Sequence, residues 1–445
     1  MGKDKKIKPQ LAGGFRDYSP EEAEARGKML DAIRRTFELF GFVLIETPAI
    51  EREETLTGGD PNFSKQIFRI AERNEKDPLA LRYDLTVPLA RFVAQNQNKL
   101  PWPFRRYQIG SVWRAEQPQA GRYREFLQCD SDIVGTDSLV ADAEIIALIY
   151  ETLTALKIPR FVIRIGNRRV LNGISECAGF RKEDFPAVLR AIDKMDKQGW
   201  GAVESGLSKL EGNPKFIKEA LEISGKTLKN LFLSLNEFLE GSREATDGIK
   251  DLEIVANAIS AMGIPPKFYK VDLSVARGLG YYTGIVFETI LEDLPSIGSV
   301  CGGGRYDGLV SRFSPMRAPA VGMSIGIDRL YKACEELGIS QEISQQQVLV
   351  LNFEPKCELY CAEILGDIRR AGIRAQIYLG QEKTLKGQFS YALKNNFGIV
   401  VIAGSDEKKK GVMQVRNLAD RAQFEIAKGE VARRIAKLPF SKNGL

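Results

Sequence analysis

The chain has 445 residues and not one histidine. Histidine is the only side chain whose unperturbed pKa falls between roughly pH 5 and 8. No imidazole of this protein can therefore serve as acid, base or pH switch. Any ionisation near neutrality must come from a substrate, the N-terminal amine, or a strongly shifted carboxylate or thiol. Mixed Cys/His zinc sites are excluded too, and no zinc is expected. The six cysteines (Cys129, Cys177, Cys301, Cys334, Cys357 and Cys361) are scattered and form no C-x-x-C pair. They read as reduced structural thiols in a reducing compartment. No apolar run approaches the length that spans a bilayer. The basic start, MGKDKKIKPQ, lacks the apolar stretch of a secretory signal. A cytoplasmic protein without membrane contact is the expectation.

What is present points to a soluble chain of two or three domains, with 44% hydrophobic and 27% charged residues. The net charge of +6 is unevenly spread. Residues 346–445 hold 17 Lys+Arg against 10 Asp+Glu, while the remainder holds 47 against 48. That concentration suggests a C-terminal module facing a polyanion, nucleic acid first among candidates. A solvated basic surface is the plainer alternative.

Ser19, Pro20 and Glu22 predict a capped helix over 19–40, with Met29, Ile33 and Phe37 on its buried face and Gly41 ending it. Val43-Leu44-Ile45 reads as a short strand. Two strands joined by a polar loop, Glu116 to Gly121, are expected between about Phe104 and Val134. Thr136 or Asp137 then caps a helix that carries Leu139, Ala143, Ile146 and Leu153. Residues 168–260 are rich in helix formers and read as a mostly helical insertion. Strand-like chemistry returns at 270–330. The polar stretch 338–347, GISQEISQQQ, reads as a linker. Beyond it, 348–351, 357–371 and 399–402 alternate as in a small α/β domain.

Four segments carry chemistry. In RAEQPQAGRYREFLQCDSD (114–132), a strand over 122–132 places Arg122, Arg124, Phe126, Gln128, Asp130 and Asp132 on one face. Such a face is no core, because unpaired buried charges cost on the order of several kcal/mol each. As a site it offers guanidinium groups for phosphates, a ring for a base and carboxylates for a cation. The second segment is RGLGYYTG (277–284), with two tyrosines beside an arginine. The third, CGGGRYDG (301–308), has three glycines that suit an ordinary loop and lack the spacing of a dinucleotide fingerprint. The fourth is AVGMSIGIDRL (320–330), with Arg329 on a helix starting near Gly326.

In this order the segments resemble the histidyl-tRNA synthetases, a class II family, over nearly the whole chain. Residues 39–50 are similar to the family's first motif, usually a dimer contact, 105–132 to its second and 320–330 to its third. RGLGYYTG and GGGRYDG are similar to the two signatures peculiar to the histidyl enzymes, and RYDLTVPLAR (82–91) also matches. The resemblance implies an α+β catalytic domain over 1–337, an antiparallel class II sheet with helices, carrying the insertion at about 168–260. It further implies a linker at 338–347 and an α/β anticodon-binding domain at 348–445. The implied activity is ATP-dependent ligation of L-histidine to histidine tRNA by a homodimer, with Mg2+ at residues left unassigned. Asp84, Thr86 and Gln128 would hold the substrate's α-amino group, Asp132 and Tyr282 would read its imidazole, and Leu85 and Tyr281 would also belong to the histidine-binding site. Arg114 and Arg277 would be the catalytic pair at the α-phosphate. Glu116, Phe126 and Arg329, with Arg114, would bind ATP. Gly280, where most relatives carry aspartate, and Gln117, where bacterial relatives often carry arginine, depart from the pattern.

Two other readings compete. An inert paralogue that regulates histidine biosynthesis would lose the reactive arginine and the basic module, both present here. A threonyl or prolyl enzyme would not carry the two signature segments. Because all four segments precede the linker and the basic excess follows it, a fragment ending near Ser340 is expected to activate histidine yet charge tRNA poorly. Phosphate neutralisation makes RNA affinity fall with added salt. Undiminished charging by a soluble fragment at physiological salt would contradict the assignment of the C-terminal module.

Overall fold

The computed structural model describes residues 7–58, 66–71, 77–116, 123–223, 227–276, 281–339 and 348–438, apart from the side chains of Lys197, Lys229 and Ala432. The chain divides into two compact units, Met1–Gln341 and Glu342–Leu445.

The first unit opens with α1 (Pro20–Leu39), whose capping box forms as the sequence predicts. Ser19 Oγ accepts from the Glu22 amide and Glu22 reaches back to the Ser19 amide. Met29, Ile33 and Phe37 are fully buried. Gly41 leaves the helix at φ +77°, a conformation that suits glycine. Strand β1 (Val43–Leu44) follows. A small sheet is built from β2 (Ile50–Arg52), β3 (Arg69–Ile70) and β4 (Leu79–Leu81), with α2 (Glu53–Thr57) beside it. Helix α3 (Thr86–Asn96) leads to the long hairpin of β5 (Phe104–Trp113) and β6 (Glu125–Val134).

After α4 (Val140–Ala155) and β7 (Phe161–Asn167), the insertion is helical. It comprises α5 (Arg168–Cys177), α6 (Phe185–Ile192), α7 (Met195–Gln198), α8 (Trp200–Leu207), α9 (Pro214–Ile223), α10 (Leu228–Phe238) and α11 (Arg243–Ala261). Strands β8 (Tyr269–Val271), β9 (Ile285–Leu291), β10 (Cys301–Tyr306) and β11 (Ala320–Gly326) precede α12 (Ile327–Glu336). The eight-stranded sheet runs β1-β5-β6-β11-β10-β9-β7-β8. Its inner pairs are antiparallel, and the edge pairs β1–β5 and β7–β8 are parallel.

The second unit has a five-stranded sheet ordered β13 (Ala375–Ile377), β12 (Val348–Val350), β14 (Ile399–Ile402), β15 (Val412–Asn417), β16 (Gln423–Ala427). Helices α13 (Glu358–Arg370), α14 (Leu385–Lys394), α15 (Ser405–Lys410) and α16 (Val431–Ile435) accompany it. Its core has Val348, Val350, Ile364, Ile368, Val401 and Val415 fully or nearly fully buried.

Three local expectations are corrected. Neither Thr136 nor Asp137 caps α4, because the helix begins at Val140 and its cap position, Leu139, makes no side-chain bond. Residues 136–139 form a turn instead, held by Arg305, which donates to the carbonyls of Thr136 and Ser138 at 3.0 Å each. The three glycines at 302–304 are not a loop but lie within β10. Strand β6 begins at Glu125, so Arg124 stands outside it, its Nε donating to the Glu116 carbonyl at 3.2 Å. Arg122 lies outside the described residues.

Arg305 of GGGRYDG also donates to the Asp142 carboxylate, which is fully buried in the first turn of α4. Removing one partner of such a pair leaves an uncompensated buried charge. Asp142→Ala is therefore expected to destabilise the first unit by about 3–5 kcal/mol, read from its denaturant midpoint. A loss well under 1 kcal/mol would show that solvent reaches Arg305 readily.

A buried acidic pocket between the central strands

Side chains at alternate positions of β6 face the same way. Gln128, Asp130 and Asp132 are 7%, 2% and 3% exposed, yet they line a cavity of about 140 Å³. Asp84, Thr86, Arg114, Tyr281, Tyr282 and Tyr306 line it too, and β11 contributes Gly322, Met323 and Ser324. The cavity thus gathers residues far apart in sequence, because β6 sits in the sheet between β5 and β11.

The close approach of β11 depends on glycine. Gly322 pairs with Asp132 across the strands. A Cβ at Gly322 would lie 1.9 Å from Asp132 Oδ1, and one at Gly304 would lie 3.0 Å from the Tyr282 ring and 2.6 Å from the Ile285 carbonyl. The small residues of the third and fourth segments are therefore what lets polar side chains cross the sheet surface.

Asp84 and Gln128 each have one committed and one open side. Asp84 Oδ1 accepts from the Val87 amide at 3.1 Å, capping the start of α3, while Oδ2 has no hydrogen-bond partner among the described residues. Gln128 Nε2 donates to Ser324 Oγ, and its Oε1 is open. Asp132 accepts from the Tyr306 hydroxyl and lies 2.6 Å from Nη2 of Arg106, a fully buried arginine on β5. Arg114 Nε donates to the Tyr83 carbonyl at 3.1 Å, and its guanidinium lies 5.0 Å from the Phe126 ring centroid. The rings of Tyr281 and Tyr282 meet edge to face at 5.0 Å.

Burial dominates the electrostatics. It raises Asp84 to about 6, against the Val87 amide and the arginines Arg114 and Arg106, which favour the charged form. Asp130 is pushed up to about 7 by burial, opposed by Arg106 and reinforced by Asp132. Asp132 moves up for the same first reason, with Arg106 and Tyr306 pulling it back. Burial also keeps the Tyr281 and Tyr282 hydroxyls neutral. A buried pocket with three carboxylates and open acceptors is chemically suited to a small cationic molecule.

The sequence-expected residues divide into groups. Asp84, Thr86, Gln128, Asp132, Tyr281, Tyr282 and Arg114 come together at the cavity. Leu85 is fully buried and does not line it, its carbonyl accepting from Arg106 Nη2 at 3.4 Å. Phe126 reaches the site only through Arg114. Glu116 stands beyond the end of β5, and Arg329 on α12 donates to the Ser299 carbonyl. Neither lines the cavity. Arg277, Gly280 and Gln117 lie outside the described residues. The sequence reading put Asp130 on the site face without giving it a role, and it missed Tyr306, Gly322, Met323 and Ser324 as cavity residues and Arg106 beneath them. Asp130 already stood on the polar face and Tyr306 within GGGRYDG, whereas nothing in sequence distinguishes Arg106 from its neighbour Arg105.

Among the described residues no group of three or more Cys, Asp and Glu is placed to hold a metal ion. A magnesium ion that travels on phosphates needs no such cage, since phosphate and water supply most of its ligands. Nor is any helix among these residues long and apolar enough to cross a membrane.

A family model described as histidyl-tRNA synthetase matches residues 14–330, and one described as an anticodon binding domain matches residues 347–438. The chain is 42% identical over 420 residues to the histidine–tRNA ligase of Wolinella succinogenes, covering 93% of this chain and 94% of the relative. It is 41% identical over 428 residues to that of Helicobacter pylori, covering 94% and 96%. The crystal structure of histidyl-tRNA synthetase from Nostoc sp. PCC 7120 aligns with a TM-score of 0.84 at 33% identity, over 97% of this chain and 100% of that one.

The raised carboxylates tie stability to pH. A carboxyl whose folded pKa lies above its unfolded value contributes stability that is full below the unfolded pKa and lost as pH rises through the folded one. For Asp84 and Asp130 that window runs from the ordinary 3.8 to about 6 and about 7. Asp130→Asn is therefore expected to unfold at higher temperature than the parent at pH 8, by on the order of 1–3 kcal/mol. The difference should shrink toward pH 5. Equal melting at pH 8 would show that the carboxylate carries no electrostatic cost.

Proposed function

The chain belongs to the histidyl-tRNA synthetase family, and from that premise we propose that it joins L-histidine to its cognate tRNA at the expense of ATP. A histidyl-adenylate is the intermediate, and pyrophosphate and AMP are released. The observation that carries the reading to these residues is the acidic pocket, which pairs open carboxylate and amide oxygens with a neutral phenol pair.

Asp84 Oδ2, Thr86 and Gln128 Oε1 receive the substrate's ammonium group. Asp132, held by Arg106 and Tyr306, accepts a ring N–H, and Tyr282 offers its hydroxyl. An apolar competitor would leave these groups unpaired, which is a strong basis for rejection. The substrate carboxylate is already ionised and needs no base. Its difficulty is approaching a polyanion, and fixed positive charge answers that. Arg114 stands at the cavity for this purpose, and Arg277, in the RGLGYYTG signature, completes the pair. Phe126 with Arg114, together with Glu116 and Arg329, forms the ATP-binding set. Magnesium carried on the ATP phosphates supplies further charge neutralisation.

The second unit, matched by the anticodon-binding model, takes the tRNA. The first motif supports a homodimer, because Leu39, Val43, Leu44 and Ile50, all within twelve residues of sequence, are 82%, 53%, 52% and 45% exposed, and exposed apolar side chains suit a protein partner. A cytoplasmic location fits this activity.

The test of the reading is ATP–pyrophosphate exchange with each amino acid in turn. Exchange with histidine alone is expected, and no exchange with any amino acid would overturn it. Arg277→Ala should lower exchange by roughly 10²–10³-fold, the usual loss for one preorganised transition-state contact. Exchange near the parent rate would remove Arg277 from the catalytic pair. Asp132→Asn should raise KM for histidine far more than KM for ATP, and equal losses would make Asp132 a structural residue.

A further inference from the structure

None of these roles falls to Asp130, although it stands between two residues that have them. It lies at the centre of the cavity-lining face of β6, two residues from Gln128 and two from Asp132. Its cross-strand neighbours are Gln108 on β5 and Ser324 on β11. Gln108 is engaged with Thr47 Oγ1 at 3.1 Å, whereas Ser324, which accepts from Gln128, also hydrogen-bonds the Asp130 carboxyl. Asp130 Oδ1 is left without a hydrogen-bond partner among the described residues, on a side chain only 2% exposed. Its neighbour Asp132 has an arginine at 2.6 Å, but no ion pair to Asp130 is found among these residues.

Residues that alternate along a strand are about 7 Å apart at Cα. A planar ring lying over this face can therefore meet both carboxylates. We propose that Asp130 is a specificity-determining residue: with Asp132 it makes the pocket select the ring-protonated form of its substrate, its carboxylate facing the imidazolium. This inference rests on the histidine-binding reading above.

Charge supports it. The pocket holds three carboxylates, Asp84, Asp130 and Asp132. Arg106 lies against Asp132 and Arg114 lines the same cavity, so these side chains together carry one net negative charge. The substrate's ammonium and carboxylate cancel, so a neutral ring would leave one negative charge unmatched in a dry site. A proton shared between Asp130 and the ring matches it. Other charged or titratable groups that bear on Asp130 are Arg82, Arg106 and Asp84, with Tyr282 and Cys301 kept neutral by burial. In the free protein Asp130 is itself poised near neutrality by burial. The proton of the complex then comes from Asp130 at low pH and from solvent at high pH. No bond other than the N–H or O–H changes.

Histidine binding measured at pH 8 by calorimetry, in buffers of different ionisation enthalpy, tests this directly. Uptake of about one proton per histidine is expected, changing to partial release near pH 6. Binding at pH 8 without proton uptake would overturn the proposal. Histidine labelled with 15N in the ring should show both ring nitrogens protonated when bound at pH 8, and a neutral bound ring would overturn it equally. These measurements need no variant. Asp130→Asn should lower histidine affinity about 10- to 100-fold, as for loss of one charged contact, and abolish most of the uptake. KM for ATP should stay within about twofold. A variant that keeps the parent's proton uptake and affinity would exclude Asp130. Exchange of pyrophosphate with histidine by the parent enzyme separates this failure from failure of the functional reading.

Discussion

The pocket depends on one contact between neighbouring strands, where the Asp132 carboxylate occupies the space that a side chain at Gly322 would fill. With Oδ1 only 1.9 Å from the Cβ position, even alanine must displace the carboxylate or part the strands. On the other side of β6, Arg106 closes on the same carboxylate at 2.6 Å without any exposure to solvent. An arginine buried so deeply is tolerable only when paired, so Arg106 and Asp132 fix each other's position. Tyr306 adds its hydroxyl from β10. Four adjacent strands thus converge on one oxygen pair, and the cavity is the space left above it.

That arrangement explains why the three glycines of β10 lie where they do. Gly302, Gly303 and Gly304 belong to a strand whose neighbours come unusually close. A Cβ at Gly303 would be 2.1 Å from the Gly322 carbonyl. Glycine costs backbone entropy in a strand, and the return is room for Tyr282 and Asp132 to lie over the sheet. The buried Arg305–Asp142 pair at the end of β10 anchors the same strand to α4. Cores of this kind are specified by complementary close contacts as much as by apolar area.

Much of this was legible in sequence, and the gaps have physical causes. The capping box of α1 is a local device, so it is read from four residues and found as read. The alternation that placed Gln128, Asp130 and Asp132 on one face follows from strand geometry alone. By contrast, Thr136 and Asp137 looked like caps because cap preference is local, whereas the turn they occupy is set by Arg305 some 170 residues away. The glycine triplet read as a loop for the same reason: what makes it a strand is register with β9 and β11. Arg106 left no signal, since a buried arginine is distinguishable from its exposed counterparts only once its partner is known. Asp84 combines a cap with a place at the cavity, one oxygen accepting at the start of α3 and the other left open.

The absence of histidine from the chain costs this chemistry little. An attacking carboxylate arrives ionised, so the step asks for fixed positive charge rather than for a base that titrates near neutrality. Arginine serves better than imidazole there, because it remains charged at every working pH. Recognition of the ring calls for acceptors of the opposite sign, and carboxylates supply them provided water is kept out. Keeping water out is what raises Asp84 and Asp130 toward neutrality. The pH-sensitive groups of the site are therefore carboxylates made so by burial, together with the imidazole of the substrate itself. Those acids oppose folding at neutral pH, because burial disfavours their charged forms.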